Sequence, residues 1–563
     1  MCGIYFSVAK ERHVLPNQET VDALRARGPD SYKVLETTCH ANNDEKLYLT
    51  FISSVLALRG ENIQEQPLHD PLSRSVFCWN GEAWKSDGVA IEGNDSAYIW
   101  HLLQTSLPHS HERQHRIAQV LSQIAGPFAF VFYDAPTATV FYGRDRLGRR
   151  SLLINQGDNG SLTLASTSTS TSDKAAAPSE ISTDTIRFLQ FSEKGITQGK
   201  LPWAFTLYPI NKSLPDIQIA TRPSQQSVDG LLKHLRKSLM LRSVDIRDHS
   251  HPQMTADSAK VAILFSGGLD CTLLARIIHE VLPPGEVVDL LNVAFENPRS
   301  LAARGNMQGT AYELCPDRIT GRSSFAELCE VCPERKWRFV AINVPYTESV
   351  AHKPMIIRLM YPHNTEMDLS IAMALYFAAR GQGELLEVHS NICSEPTPFL
   401  STARVLMSGL GADELYAGYS RHAAAFSRDG FQGLAEELEM DFNRIGSRNL
   451  GRDDRVMSSW GKEIRYPYLD EDFVRFSLDL PVWEKAGFRP GKPVPKHYEA
   501  TGVASAPEDL EPAKMLLRLA AWHLGLRRTA AERKRAIQFG ARTAKMDAGK
   551  GRTKGTDILA AAA

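Results

Sequence analysis

The sequence predicts two globular domains, the first of the α+β class and the second a doubly wound α/β sheet. The chain has 563 residues, which at roughly 150 residues per domain is enough for several cores. About the first 150 residues alternate short apolar strands with turns. Further along, two apolar strands each run into a glycine-rich turn and then a helical pattern, which is the repeating unit of a doubly wound sheet.

Composition and charge exclude several classes of protein. Lys and Arg total 64 and Asp and Glu total 65, so the formal net charge is −1. This balance gives no reason to expect binding to nucleic acid or to a membrane surface. No apolar run approaches the ~20 residues of a membrane-spanning helix, and eight cysteines are too few for a disulfide scaffold. We therefore expect a cytoplasmic protein that acts on small molecules.

The first domain is predicted from runs of strand-forming residues between turn signals. The predicted strands are residues 3–8, 47–58, 76–79, 128–133 and 140–143. The helical patterns are residues 95–104 and 116–124. We assign residues 2–205 to this domain. Residues 206–257, rich in proline, serine and polar residues, are predicted to be a linker with a helix-like stretch at 228–241.

The second domain is predicted to span residues 258–545. It opens with a continuous apolar run at residues 260–265, which is typical of a buried parallel strand. The turn Ser266-Gly267-Gly268-Leu269-Asp270 and a helical pattern at residues 271–281 follow. A later strand at residues 404–407 runs into a second turn, Ser408-Gly409-Leu410-Gly411-Ala412-Asp413.

The first of these turns has the composition of a phosphate-binding loop. Its small residues let consecutive backbone N–H groups face a phosphate, and the N-terminus of the following helix favours an anion. Asp270 cannot bind a phosphate directly, but a carboxylate suits a Mg²⁺ ion that bridges phosphates. No Gly-Lys-Ser/Thr follows, so the loop is not a Walker A motif.

The second residue of the chain is a cysteine. Removal of Met1 would place a thiol nucleophile and an α-amine on one residue. A free α-amine titrates near 8, so it can accept the thiol proton at neutral pH without a separate histidine. A chain can also begin Met-Cys without any catalytic role, and the dipeptide alone does not decide between these interpretations.

Further residues make the first domain resemble the class II glutamine amidotransferases, which have an N-terminal-nucleophile layered sandwich fold. These residues are Arg27-Gly28-Pro29-Asp30, Asn80-Gly81-Glu82, Asn94-Asp95, and Gly143-Arg144-Asp145 with Gly148. The resemblance implies that Cys2 attacks the side-chain amide of glutamine and releases ammonia. It also implies that Asn80 and Gly81 form an oxyanion hole for the tetrahedral intermediate, and that Asp95 and Glu82 bind glutamine.

The residue expected to bind the α-carboxylate of glutamine departs from the family pattern. Family members carry an arginine shortly before a Gln-Pro pair. Gln66-Pro67 is present here, but Val55 occupies the aligned position. Arg59 lies four residues later and would share its face on an extended strand. Arg59 is therefore the predicted substitute, and a weakened glutamine site is the alternative.

The two glycine-rich turns resemble those of the ATP-pyrophosphatase domain of asparagine synthetases. Residues 463–470, Glu-Ile-Arg-Tyr-Pro-Tyr-Leu-Asp, match a further motif of that family, and residues 447–455 fit one eukaryotic branch of it. The resemblance implies ATP and Mg²⁺ as cofactors, with Asp270 and Asp413 near the metal. The implied ATP- or pyrophosphate-binding residues are Phe265, Ser266, Gly267, Gly268, Asp270, Val293, Ser408, Gly409, Lys534 and Arg535.

The resemblance implies synthesis of asparagine from glutamine, ATP and aspartate through an acyl-adenylate, with release of AMP and pyrophosphate. Two departures leave alternatives open. Leu410 replaces a family glutamate, and a leucine cannot accept a proton or stabilise a developing ammonium. The family lysine near the C-terminus aligns with Ala536 or Ile537. The alternatives are an amide ligase for another carboxylate and a catalytically degenerate nucleotide-binding or scaffold protein.

The C-terminal region is strongly basic, with ten Lys or Arg and two acidic residues in residues 527–554. We predict a solvent-exposed helix and tail, and the alternative is that Lys534 and Arg535 close over the polyphosphate. No interleaved aromatic residues support nucleic-acid binding. Residues 546–563 are predicted to be disordered. Lys514 is predicted to be a surface residue, and Cys329 and Cys332 with Cys315 are too few for a four-ligand zinc site.

Overall fold

The computed structural model describes fifteen segments of the chain: residues 2–41, 45–105, 112–157, 161–167, 177–192, 195–204, 209–215, 222–248, 257–302, 310–385, 388–389, 392–393, 396–489, 506–546 and 554–559. These residues form the two units predicted from the sequence. An antiparallel two-sheet sandwich comes first, and an α/β unit follows.

The first unit is built mainly from strands. Its strands are β1 (Gly3–Ala9), β2 (Ser31–Ala41), β3 (Glu45–Val55), β4 (Leu68–His69), β5 (Val76–Gly81), β6 (Lys85–Ser86), β7 (Val89–Ala90), β8 (Ile124–Ala125), β9 (Phe128–Asp134), β10 (Thr139–Arg144), β11 (Leu153–Gln156), β12 (Leu162–Ala165), β13 (Ser179–Glu180), β14 (Thr185–Ser192) and β15 (Gly195–Pro202). Its helices are α1 (Gln18–Arg27), α2 (Asp95–Thr105) and α3 (Arg113–Ser122), with a 3₁₀ turn at Ala135–Thr137.

Two six-stranded sheets form this sandwich, in the orders β13-β11-β12-β1-β3-β2 and β15-β14-β10-β9-β5-β4. Apolar side chains of β1, β3, β5 and β9 fill the space between the sheets, as expected for strands that alternate their faces. Cys2 immediately precedes β1, and the end of β5 carries Asn80 and Gly81. The sandwich therefore brings the predicted nucleophile and oxyanion-hole residues to the same end of two facing strands.

The second unit alternates strands and helices. Its strands are β16 (Val261–Leu264), β17 (Val288–Phe295), β18 (Trp337–Val344), β19 (Gln382–Leu385), β20 (Val388–His389), β21 (Ile392–Cys393), β22 (Thr397–Leu400), β23 (Val405–Met407) and β24 (Glu463–Arg465). Its helices are α4 (Gln225–Ser243), α5 (Leu269–Val281), α6 (Pro298–Ala302), α7 (Pro316–Val331), α8 (Tyr346–Met360), α9 (Glu366–Arg380), α10 (Ala412–Leu415), α11 (Ser420–Arg448), α12 (Leu450–Ser458), α13 (Glu471–Asp479), α14 (Met515–His523), α15 (Arg527–Ala531) and α16 (Ile537–Gly540). Three 3₁₀ turns lie at Pro467–Leu469, Val482–Glu484 and Pro507–Asp509.

The sheet of this unit has the order β22-β19-β18-β17-β16-β23-β24. Strands β18, β17, β16, β23 and β24 are parallel to one another, and β19 and β22 add an antiparallel edge. Both predicted glycine-rich turns follow the carboxyl ends of neighbouring strands, β16 and β23. Ligands of open α/β sheets bind at this edge, so the sheet places the two turns side by side at the expected ligand site.

Two predictions about chain organisation need correction. Helix α4 lies within the predicted linker, yet its apolar face, with Val228, Leu231 and Leu235, packs into the core of the second unit. In the predicted disordered tail, Ile558 forms a β-bridge with Thr365, and the N–H of Leu559 donates to Asn364 O at 2.8 Å. Backbone pairing therefore fixes residues 554–559 on the start of α9, and residues 547–553 and 560–563 of that tail lie outside the described residues.

Candidate active sites

Cys2 lies at the end of the sandwich, with 7% of its surface exposed. Its N–H donates to Asn80 Oδ1 at 3.1 Å, which orients the amide of Asn80. The Nδ2 atom of Asn80 is buried and has no hydrogen-bond partner among the described residues. A buried donor without a partner is costly, so this amide is positioned to donate to an oxygen that develops negative charge beside Cys2.

Gly81 follows Asn80 at the end of β5, where the backbone of β9 approaches closely. A Cβ at Gly81 would lie 2.4 Å from Pro127 O and 2.7 Å from the Cα of Phe128. No residue other than glycine fits this position without a backbone shift. The two predicted oxyanion-hole residues are therefore held in one strand by close packing.

The three predicted glutamine-binding residues lie together and are all buried. Asp95 Oδ2 accepts hydrogen bonds from Trp79 Nε1 at 3.0 Å and from the N–H of Ala83 at 2.9 Å. Burial raises the pKa of Asp95, and nearby Arg59 opposes the rise. Arg59 itself donates to the carbonyls of Ala83 and Ile91. Its guanidinium is thus partly committed to the backbone.

Val55, at the position aligned with the family arginine, contacts the nucleophile. It forms a small buried cluster with Cys2 and Ala57. The cation expected at this place is therefore replaced by an apolar side chain. Arg59, the predicted substitute, lies nearby with its guanidinium 3.7 Å from Glu82.

Glu82 faces the second unit. Its Oε1 accepts from Arg465 at 3.3 Å, and Arg465 also pairs with Glu463 at 2.6 Å. Burial and the neighbouring Glu463 carboxylate raise the pKa of Glu82 to about 8. Although burial opposes ionisation of Glu463, Arg465 and Arg150 lower its pKa to about 2. A buried network of charges thus joins the glutamine-binding residues to β24 of the second unit.

The second site is a cavity of about 330 Å³ at the carboxyl edge of the parallel sheet. Nine of the ten residues predicted to bind ATP or pyrophosphate line it: Phe265, Ser266, Gly268, Asp270, Val293, Ser408, Gly409, Lys534 and Arg535. Asp413 also lines the cavity, as does Leu410. The two glycine-rich turns, which are far apart in sequence, therefore share one pocket.

Gly267 shapes the first turn from behind the cavity. Its φ is +81°, and a Cβ would lie 2.5 Å from the backbone of Gly321 in α7. The carbonyl of Gly267 accepts from Ser324 Oγ at 2.7 Å. This glycine therefore permits the left-handed turn and its close packing on α7, while Ser266 and Gly268 face the cavity.

Lys514 lies between the two predicted metal ligands. Its Nζ is 2.6 Å from Asp270 Oδ2 and 2.7 Å from Asp413 Oδ1, and its side chain is 3% exposed. Burial opposes its charge, but the two carboxylates raise the pKa of Lys514. In turn, although burial opposes ionisation of Asp413, Lys514 and Lys534 lower its pKa. The prediction that Lys514 is a surface residue is wrong.

The donor set fits a Mg²⁺ ion. Asp270 Oδ1 is buried and lacks a hydrogen-bond partner among the described residues, and Asp413 is the second carboxylate within reach of the same lysine. Mg²⁺ in nucleotide sites is bound through one or two carboxylates together with phosphate oxygens and water. No group of three or more His, Cys, Asp or Glu that could hold a metal occurs in the described part of the chain.

Comparison with known proteins agrees with this two-site arrangement. A family model described as a glutamine amidotransferase domain matches residues 1–200, and one described as asparagine synthase matches residues 429–501. Asparagine synthetase domain-containing protein 1 of Bos taurus is 32% identical, over 97% of this chain and 95% of that protein. An asparagine synthetase domain-containing protein of Saccharomyces cerevisiae is 31% identical over 99% of both chains.

The chain belongs to the family of asparagine synthetase domain-containing protein 1. It is more distantly similar to the glutamine-hydrolysing asparagine synthetase 2 of Oryza sativa subsp. japonica, with 22% identity over 86% of this chain and 70% of that protein. The sandwich is accordingly the amidotransferase domain, and the α/β unit is the asparagine-synthase-like domain.

In this family member, the cations Lys534 and Arg535 lie at the cavity. Lys534 pairs with Asp413, and Arg535 donates to Thr320 Oγ1 at 2.8 Å. Asp317, which the sequence reasoning missed, lines the cavity beside them. Burial raises the pKa of Asp317 to about 7, and Arg535 opposes the rise.

The remaining sequence predictions concern metal and membrane. Cys315, Cys329 and Cys332 are free, and Cys329 is exposed whereas the other two are buried. Among the helices that the structure describes, none combines the length and the apolar character needed to cross a membrane.

Proposed function

We propose that the protein transfers the amide nitrogen of glutamine to a carboxylate that ATP has activated, with aspartate as the acceptor and asparagine, AMP and pyrophosphate as products. The observation that carries this proposal is the pairing of two sites in one chain. One site has a thiol beside an unpartnered buried amide donor. The other is a cavity lined by two phosphate-type turns, which carry the carboxylates of Asp270 and Asp413.

In the amidotransferase domain, the chain's own groups supply each element of amide hydrolysis. Burial raises the pKa of the Cys2 thiol to about 11, so the thiol needs a base to attack. After removal of Met1, the α-amine of Cys2 is that base. The Nδ2 of Asn80 donates to the developing oxyanion, and the Asp95 carboxylate holds the α-ammonium of glutamine.

In the synthase-like domain, the backbone N–H groups of residues 266–268 and the N-terminus of α5 receive the phosphates. Asp270 and Asp413 would hold Mg²⁺, which would supply positive charge that neutralises the phosphates. Lys514 and Lys534 lie beside these carboxylates. Their ammonium groups stabilise the charge that collects on pyrophosphate as it leaves.

The test measures glutamate from glutamine and pyrophosphate from ATP with aspartate in the same purified protein. Cys2→Ala should abolish glutamate release and leave pyrophosphate release intact when ammonium is supplied. Asp270→Asn should do the reverse, so each variant is the control for the other. Wild-type protein that releases neither glutamate nor pyrophosphate with any carboxylate would overturn the proposal.

Leu410 supports a second candidate, an amide ligase for a carboxylate other than aspartate. It lines the cavity together with the apolar side chains of Ile371, Leu375 and Met457. An apolar wall favours a less polar acceptor. A screen of carboxylates by pyrophosphate release decides between the candidates. If wild type prefers an apolar acid and Leu410→Glu shifts that preference toward aspartate, the result supports a ligase for another carboxylate. If wild type prefers aspartate, the result supports asparagine synthesis.

We also propose a cytoplasmic location. The seven cysteines whose side chains the structure describes are free thiols, and a nucleophilic cysteine has to remain reduced to act. A tagged chain found in an oxidising compartment in cell fractionation would contradict this location.

A further inference from the structure

Helix α12 presents two adjacent faces to the two sites. Arg452 and Asp453 line the nucleotide cavity. Asp454 and Ser458, which lie one turn apart and therefore on one face, point instead to the amidotransferase domain. All nine residues of the helix are buried. Residues 447–455 were singled out by the sequence, but the proposed reaction gives them no role.

The second face of α12 contacts Arg27 of the amidotransferase domain. Arg27 Nη2 donates to Asp454 Oδ2 at 2.9 Å, and Nη1 donates to Ser458 Oγ. Its Nε donates to the carbonyl oxygen of Cys2 at 3.3 Å. A planar guanidinium has its donors in a fixed geometry, so the two contacts from α12 determine where the third donor can reach.

This contact is fully desolvated, because the side chains of Arg27 and Asp454 are 1% and 0% exposed. Asp454 Oδ2 also accepts from the N–H of Ser151 at 3.1 Å. Removal of one partner from such a pair leaves an uncompensated buried charge. The guanidinium of Arg27 would then move toward other acceptors, and its hold on Cys2 would be lost.

The helix is itself firmly fixed. Arg452 pairs with Asp368 at 2.6 Å, and Arg455 Nε donates to Leu359 O at 2.8 Å. A second pair across the domain boundary joins Arg455 to Glu180 at 2.7 Å. A rigid supporting element is what holds a reactive group within the few tenths of an ångström that catalysis needs.

We propose that Asp454 and Ser458 are positioning residues for Cys2. They act from the synthase-like domain through Arg27, so that the nucleophile of the first domain is placed correctly only when α12 is docked against it. This inference rests on the glutaminase half of the proposed function. Neither residue touches glutamine, and both act on the position of the Cys2 backbone.

The experiment compares matched variants of the full-length chain. Asp454→Asn removes the buried charge and keeps the shape, and Glu180→Gln removes a charge from the other inter-domain pair on the same helix. Ser458→Ala removes a contact with Arg27 without leaving an unpaired charge. Its control is Ser459→Ala, because Ser459 Oγ donates to the carbonyl of Val456 at 2.8 Å. Circular dichroism establishes that each variant is folded.

The first readout is the kinetics of glutamine hydrolysis. Asp454→Asn should lower kcat at least tenfold and change KM less than threefold, because Asp454 contacts none of the residues that are predicted to bind glutamine. Ser458→Ala should lower kcat about fivefold, which corresponds to one hydrogen bond of about 1 kcal/mol. Glu180→Gln and Ser459→Ala should stay within twofold of wild type. If Asp454→Asn does not fold, the comparison of Ser458→Ala with Ser459→Ala decides the test.

The second readout does not require turnover. Iodoacetamide should alkylate Cys2 at least threefold more slowly in Asp454→Asn and Ser458→Ala, while exposed Cys329 reacts at its wild-type rate. If wild type alkylates normally but hydrolyses no glutamine, the proposed function fails and these alkylation rates still decide the positioning role. Equal rates at Cys2 in all variants, or equal losses of kcat in Asp454→Asn and Glu180→Gln, would overturn the inference.

Discussion

Replacement of Lys514 by methionine tests the interpretation that Lys514 is the buried counter-ion of the carboxylates in the nucleotide site. The change removes two ion pairs, at 2.6 and 2.7 Å, from a side chain that is 3% exposed. Loss of one partner of a buried pair costs about 3–5 kcal/mol. The carboxylates of Asp270 and Asp413 are 19% and 14% exposed, so water offsets part of this cost. We therefore expect a loss of about 3 kcal/mol in the free energy of unfolding.

Urea unfolding measures this loss, with Lys534→Met as the matched control. Lys534 pairs with the same Asp413 but is 29% exposed, so its replacement should cost less than about 1 kcal/mol. Mg²⁺ should stabilise Lys514→Met more than it stabilises wild type, because the two carboxylates of the variant lack the neutralising ammonium. A loss below 1 kcal/mol for Lys514→Met, or equal losses in the two variants, would refute the reasoning.

Three further predictions follow from the geometry. Gly81→Ala should lower glutamine hydrolysis at least ~100-fold, since its Cβ would lie 2.4 Å from Pro127 O and shift the oxyanion-hole strand; activity within tenfold of wild type in a glutaminase assay would contradict this. Gly267→Ala should weaken ATP binding in calorimetry while glutamine hydrolysis persists, because its φ of +81° disfavours a side chain; unchanged ATP affinity would count against it. Burial raises the pKa of Asp317 to about 7, so the folded chain binds more protons than the unfolded chain between about pH 4 and pH 7. The free energy of unfolding should therefore fall as pH rises through that window, by up to ~1.4 kcal/mol per pH unit. Asp317→Asn should flatten this slope in urea unfolding, and an unchanged slope would show that Asp317 is not the titrating group.

The features of the fold around the candidate sites that can be predicted from the sequence are those with local signals. The turn from Ser266 to Asp270 follows an apolar strand and precedes a helix, so its type and its ligand-facing edge can be inferred from neighbours in the chain. The position of Asn80 and Gly81 relative to Cys2 depends instead on strand pairing. The family resemblance of the motifs implies this position, and periodicity does not.

The residues that the sequence did not reveal act through long-range contacts. Lys514 lies 244 positions from Asp270, and an isolated lysine on an amphipathic run is ordinarily exposed. Asp454 belongs to a strongly charged stretch that would be expected on a surface, yet α12 is buried throughout. The buried carboxylate of Asp454 is compatible with burial because Arg27, 427 positions away, supplies an opposite charge. Such pairings appear only once both domains are folded and docked.

Dependence on long-range packing also explains why the sequence predicts a linker where the structure has α4. Its sequence is polar on average and is flanked by proline-rich segments, which resemble a linker. The stripe formed by Val228, Leu231 and Leu235 supplies the apolar face that packs on the second core. Tertiary packing, and not local propensity, therefore decides the domain to which this helix belongs.

Transfer of nitrogen from glutamine to an acceptor tests the central claim most directly. Wild-type protein is incubated with glutamine labelled with ¹⁵N in the side-chain amide, ATP, Mg²⁺ and aspartate, and the products are separated by mass spectrometry. The account predicts asparagine labelled in its side-chain amide, with one pyrophosphate released per label transferred, and no labelled asparagine from Cys2→Ala. Label that appears only as free ammonium, or remains in glutamine, while the cavity binds ATP would contradict it.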